Sequence, residues 1–172
     1  MRDSDFKLVI SRIQYRLLSL SNTLDDSLSE CLRLAMLAFL ACAFEIPEKS
    51  GRRYPYLSQT FRTSCLAILD DARISEMWPN LVIWLLMVGA MSLYGVDEDW
   101  LCNKWRAVVP ATATWNDTRA RLKGLLWIDV LHDKLGEETF QALSCRDSKT
   151  VLKITKSSAW WMSGWGVCPL EI

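Results

Sequence analysis

Charge of one sign is the first thing this chain lacks: 20 lysines and arginines are matched by 20 aspartates and glutamates, with one histidine. Without a basic surplus, counterion release contributes little, which argues against direct nucleic-acid binding. Proline and glycine are scarce, at 5 and 7 residues in 172. An all-β chain would need more of both for its tight turns. Close cysteine pairs are missing. The six cysteines are Cys31, Cys42, Cys65, Cys102, Cys145 and Cys168, and no two stand closer than 11 positions. None lies near His132 in sequence, so zinc-ligand spacing is absent. There is no G-x-S-x-G elbow, and Gly164–Trp165–Gly166 follows no strand pattern, which leaves no hydrolase nucleophile and no phosphate loop. The expectation is a chain with no metal and no cofactor.

Long uncharged runs are nearly absent as well. Arg2, Asp3, Asp5, Lys7, Arg12 and Arg16 leave no apolar core for a secretory signal. The chain is therefore expected to be intracellular, cytoplasmic or nuclear, with reduced and mostly buried cysteines. Residues 77–96 carry no charge, but Pro79 and Asn80 fall near their start. The remainder is shorter than the ~20 apolar residues a bilayer needs. A helix buried on all sides, and no membrane partner, is the better reading.

What the chain does have is helical periodicity. Phe6, Ile10, Ile13, Leu17 and Leu20 share one face of a helix over 4–20. Asp26 and Ser27 open a second helix, with Ser27 and Glu30 spaced as a capping box and Pro47 beyond its end. A third follows Pro55, with Leu57, Phe61, Leu66 and Leu69 inward. Pro79 suits the first turn of a fourth, over about 80–94, apolar all round. Asp97 opens a fifth and Pro110 ends it. Thr114 caps a sixth with Asp117 at the third position; it is expected to run through Leu126 and Leu131 to a Gly136 C-cap, with a short helix over 137–145 behind it. No strand-period run of any length appears. The fold class is all-α: six to seven helices in a bundle-like single domain over 1–145. Residues 146–172 form a basic linker and a tryptophan-rich C-terminal arm.

Four segments carry a resemblance: SLSECLRLAMLAFL, LVIWLLMVGAMSLYG, DWLCNKWRAVV and TWNDTRARLKGLLWIDVLHDKLG, in that order. The order resembles the C-terminal regulatory region of fungal zinc-cluster transcription factors. Glu30 to Ala35 matches the family's first helix with one wider step. Trp84, Gly89 and Ala90 match its Trp-rich apolar helix, and Trp100 and Leu126–Trp127 its closing helices. The resemblance covers about residues 27–145. It implies a ligand-responsive domain that acts through a partner chain or represents a truncated factor, and the family's N-terminal cysteine cluster has no counterpart here, where the first cysteine is Cys31.

Nine tryptophans are the compositional outlier. Bulky aromatics at helical spacing usually form core, yet each buried indole needs a partner for its N–H, and apolar ligand pockets are built from the same residues. An apolar cavity is expected between the fourth, fifth and sixth helices. Its wall would be Trp84, Met87, Met91, Trp100, Trp105 and Trp127, with Trp161 and Trp165 of the arm as its lid. Two functions fit such a cavity. One is binding of an apolar small molecule of the secondary-metabolite type. The other is a cofactor-free cyclase or isomerase, with a shaped cavity and Tyr94 or His132 as hydrogen-bond donor. A helical interaction module without ligand is the third. His132 is expected near a helix C-terminus, which would favour its protonated form. Asp70–Asp71 and Glu137–Glu138 read as solvated carboxylates.

Overall fold

The computed structural model describes residues 3–21, 23–44 and 54–145, and Trp161 and Trp165 lie outside them. Eight helices occur there: α1 (Asp3–Ser19), α2 (Ser27–Phe44), α3 (Pro55–Asp70), α4 (Ala72–Met77), α5 (Pro79–Ser92), α6 (Asp99–Val108), α7 (Trp115–Lys123) and α8 (Asp129–Ser144). No strand is found among the described residues. The all-α single domain expected from periodicity is what the helices build, with unannounced breaks at Asp71 and over 124–128 and no break at Gly136.

α5 is the axis. Every residue from Leu81 to Ala90 is buried, and α2, α3, α4, α6, α7 and α8 all pack against it. Pro79 starts it, as its missing N–H and fixed φ favour. Gly89 lets α3 come close, since a Cβ there would stand 3.1 Å from the Phe61 ring. α3 presents Phe61, Cys65 and Ile68 inward, so the four-step from Phe61 lands on Cys65 rather than on Leu66, which is half-buried. α1 is peripheral and packs on α2. Ile10 and Leu17 are half-buried there, whereas Ile13 and Leu20 of the expected inward face remain exposed. The Arg33 guanidinium ties the two helices by donating to the Leu17 carbonyl at 3.0 Å.

The caps decide where the pattern is cut. At α2 the cap is Asp26, whose carboxylate accepts from the Ser29 N–H at 2.7 Å, while Glu30 turns to Arg33 at 2.6 Å. The Ser27–Glu30 capping box is therefore not used. Asp71 caps α4, a one-and-a-half-turn helix missing from the sequence reading, by accepting from the Arg73 N–H. At α7 the Thr114–Asp117 capping box forms as expected. The helix then stops at Lys123, because Gly124 caps it through the Arg121 and Leu122 carbonyls.

Gly136 is consequently not a C-cap. It lies inside α8, where a Cβ would come within 2.7–2.8 Å of the Trp127 and Trp115 rings. The absent side chain makes room for two indoles, not for a turn. The break over 124–128 also moves His132 from the end of a helix to the first turn of one.

Candidate functional site

The expected wall residues divide among three places. Trp84, Met87 and Trp105 are enclosed in the core. The Trp84 indole N–H donates to the Leu126 carbonyl at 2.7 Å, and its ring lies 6.1 Å from Phe39. Trp105 meets Phe140 edge-on at 6.0 Å. Both indoles are thus committed to packing between helices. Met91 is half-buried against the same core.

Tyr94 and Trp100 form a second group where α3, the end of α5 and the start of α6 meet. Their rings stand edge to face at 5.1 Å, and the Arg62 guanidinium sits 5.4 Å over Trp100. The Tyr94 hydroxyl donates to the Ser58 carbonyl at 2.5 Å. Burial pushes this phenol above its ordinary value, so it stays protonated and serves as a donor to the backbone.

Trp127 and His132 form the third group, at the α7–α8 junction. The Trp127 N–H donates to Asp133 at 2.8 Å, and its ring lies 5.1 Å from the imidazole. Phe39 also stacks on His132, at 4.5 Å between ring centroids. Nδ1 of His132 lies 3.1 Å from the Ile128 nitrogen and 2.9 Å from the Ile128 carbonyl, and Nε2 is buried without a partner. Burial pushes His132 below its ordinary value, against the opposing pull of the Ile128 contact and Asp133. The expected preference for the protonated ring is thereby reversed: at a buried helix start, desolvation outweighs the carboxylate neighbour.

Arg119 binds the junction together. It donates to both carboxylate oxygens of Asp133 at 3.0 and 2.6 Å and to Asp129 at 3.1 Å, and Lys123 reaches Asp129 at 2.6 Å. The Arg119 hydrogen bonds hold the Asp133 carboxyl below the usual carboxylate range, helped by the Trp127 N–H. Asp70 and Asp71 are likewise paired, with Lys104 at 2.5 Å and Arg73 at 3.1 Å.

An open apolar groove lies elsewhere, between the first turn of α2 and the α4–α5 corner. Leu28, Ile74, Met77 and Trp78 line it, with Asp71, Arg73 and Glu76 at the rim, and its volume is about 640 Å³. Trp78 is 54% exposed and Met77 is exposed beside it. The corner explains that exposure: α4 ends at Met77 and α5 begins at Pro79, so Trp78 stands between two helix axes rather than on a packed face. Comparison with family models, curated proteins and solved structures finds no match to this chain.

Sequence reasoning missed this groove because it assigned Met77 and Trp78 to an apolar run. The available signal was the distance from the Asp71 cap to Pro79, room for a short separate helix. A more polar hollow of about 380 Å³ is lined by Ile83, Val109, Thr112, Asp117, Thr118 and Arg121, among others, and includes none of the expected wall residues. Among the described residues no group of three or more His, Cys, Asp or Glu side chains could hold a metal ion. No described helix is long and apolar enough to cross a membrane.

Proposed function

We propose that this chain is a regulatory-type helical domain, of the kind its sequence resembles, that binds an apolar small molecule in the groove beside Trp78 and releases it unchanged. One observation carries the reading: an exposed tryptophan and methionine over a floor of Leu28 and Ile74, in a groove of about 640 Å³. That size falls in the ~300–1,000 Å³ range of small-molecule sites, and an indole beside a thioether makes an adaptable apolar wall. The proposed output runs through a partner chain rather than through DNA, because the net charge is zero. The cyclase or isomerase reading draws on Tyr94 and His132. No observation favours it, since the Tyr94 hydroxyl is bonded to the backbone and His132 is 1% exposed.

The test is a fluorescence titration with 8-anilinonaphthalene-1-sulfonate, an aromatic probe with one anionic sulfonate, on the intact chain and on a Met77→Ala/Trp78→Ala variant. The expected outcome is saturable binding that weakens by about tenfold or more in the variant, the order expected for losing two apolar walls. Equal binding by both chains, at unchanged thermal stability, overturns the assignment of the groove. Apolar metabolites that bind are then recovered and examined by mass spectrometry. Recovery unchanged supports the regulator, and an isomer formed faster than in buffer replaces it with the enzyme.

A further inference from the structure

The groove beside Trp78 is apolar inside and acidic around its mouth. Asp71 and Glu76 stand at its rim, and exposed Asp25 and Asp26 precede Leu28 at the start of α2. Among the described residues Arg73 is the one cation lining it, and that guanidinium is paired with Asp71. An occupant that matches this surface is aromatic or aliphatic, with positive charge beside the apolar part. Two other exposed apolar surfaces are charged differently. The hollow on α1 combines Tyr15 with Arg12 and Arg16. At the α7–α8 junction exposed Leu125 and Leu126 follow Lys123, and the carboxylates of Asp129 and Asp133 there are already bridged by Arg119.

The chain itself carries the matching chemistry beyond α8. In residues 146–158, Arg146, Lys149, Lys153 and Lys156 stand against the single acid Asp147, and Trp160, Trp161 and Trp165 follow directly. Each indole buried removes roughly 150–250 Å² from water, so three so close together have much to gain from a cover. The reach suffices. At ~3.3 Å per residue, residues 146–158 span about 43 Å when extended, whereas a domain of this size has a radius of gyration of about 15 Å. The path is also short in the fold, since α8 ends at Ser144, packs on α5, and α5 begins at the groove.

We propose that residues 159–166 dock in the groove of their own chain, with the basic residues of 146–158 crossing its acidic rim, so that a ligand enters by displacing them. This regulation rests on the groove being the ligand site proposed above. The docked arm lowers the apparent ligand affinity by the fraction of chains left open. By the same coupling, a bound ligand frees the basic segment and its three indoles for a partner chain.

The place of the arm is read first, without ligand. The intact wild-type chain is treated with a water-soluble carbodiimide, which joins lysine amines to carboxylates in contact, and is mapped by mass spectrometry. Links from Lys149, Lys153 or Lys156 to Asp25, Asp26, Asp71 or Glu76 are expected. In an equal mixture of unlabelled and nitrogen-15 chain, both ends of each link should carry the same label. No such link, links only to carboxylates elsewhere, or links of mixed label overturn the docking and leave the ligand site standing. Gating is then read by titration with 8-anilinonaphthalene-1-sulfonate. The full-length Trp160→Ala/Trp161→Ala/Trp165→Ala variant is expected to bind this probe about fivefold or more tighter than wild type, the lower end of common coupling strengths. Adding Met77→Ala/Trp78→Ala should cancel the gain. An unchanged or weaker affinity in the arm variant, with the Met77/Trp78 effect intact, overturns the gating alone. Probe binding that ignores Met77 and Trp78 in both backgrounds overturns the ligand site, and the gating with it.

Discussion

Gly136 and His132 show how much a single position depends on its neighbours. Both lie on α8 against Trp127, and neither could be read from its local sequence. A methyl group at Gly136 would meet three aromatic carbons at 2.7–2.8 Å, two of them on a ring pinned by Asp133. Gly136→Ala is therefore expected to destabilise the fold by about 1–3 kcal/mol through overpacking, although alanine is the better helix former. A lowered urea midpoint reads this out; an unchanged or raised midpoint would show that the indoles yield. His132 predicts a pH effect. Its value in the fold is below the ordinary ~6.5 of the unfolded chain, so the unfolded state takes up the proton first as pH falls. Stability should be flat above about pH 6.5 and decline below it, until the folded-state value is reached. Urea midpoints between pH 7.5 and 5.5 measure the slope. His132→Phe should flatten it whatever that variant's absolute stability, and an equally steep decline would assign the effect to other groups.

At the level of elements, cap chemistry and one charge cluster set the boundaries of α7 and α8. The Thr114 hydroxyl accepts from the Asp117 N–H at 3.2 Å while the Asp117 carboxylate accepts from the Thr114 N–H at 3.3 Å. Thr114→Ala should cost about 1 kcal/mol. Arg119 bridges α7 to two carboxylates of α8. The cluster is partly exposed, so Arg119→Ala is expected to lower the urea midpoint modestly, and less at high salt. Chemical denaturation at low and high salt distinguishes this from a packing loss, which salt would leave unchanged. The helices should also differ in local stability. α5 is buried along ten consecutive residues, and α1 leans on α2 with several apolar side chains in water. Hydrogen exchange should show α5 amides opening only with global unfolding and α1 amides exchanging well before them. Equal protection would mean that α1 is covered in solution.

For the whole molecule, neutrality and the surface groove bear on function together. A chain with 20 charges of each sign has little to offer a phosphate backbone. A mobility-shift assay at low salt is expected to show no micromolar binding to duplex DNA; binding at that strength would contradict the proposed partner-mediated output. The aromatic residues have largely been used for structure. Trp84, Trp105 and Trp127 each join helices through ring contacts or a named N–H acceptor, which among the described residues leaves Trp78 as the indole exposed at an open groove.

Sequence alone determined the helical class, the buried α5, the Pro79 start and the Thr114–Asp117 cap, because each depends on residues within one or two turns of one another. Apolar periodicity and cap chemistry are local, and local physics is legible in a string. The tertiary structure alone decided that Gly136 sits beneath two indoles and that burial pushes the His132 imidazole below its ordinary value at a helix start. It also decided that Trp78 faces solvent while Trp84 does not. Those outcomes turn on which chain segments approach from a distance. An apolar side chain has the same composition whether it fills a core or lines a groove, and only its neighbours in space separate the two.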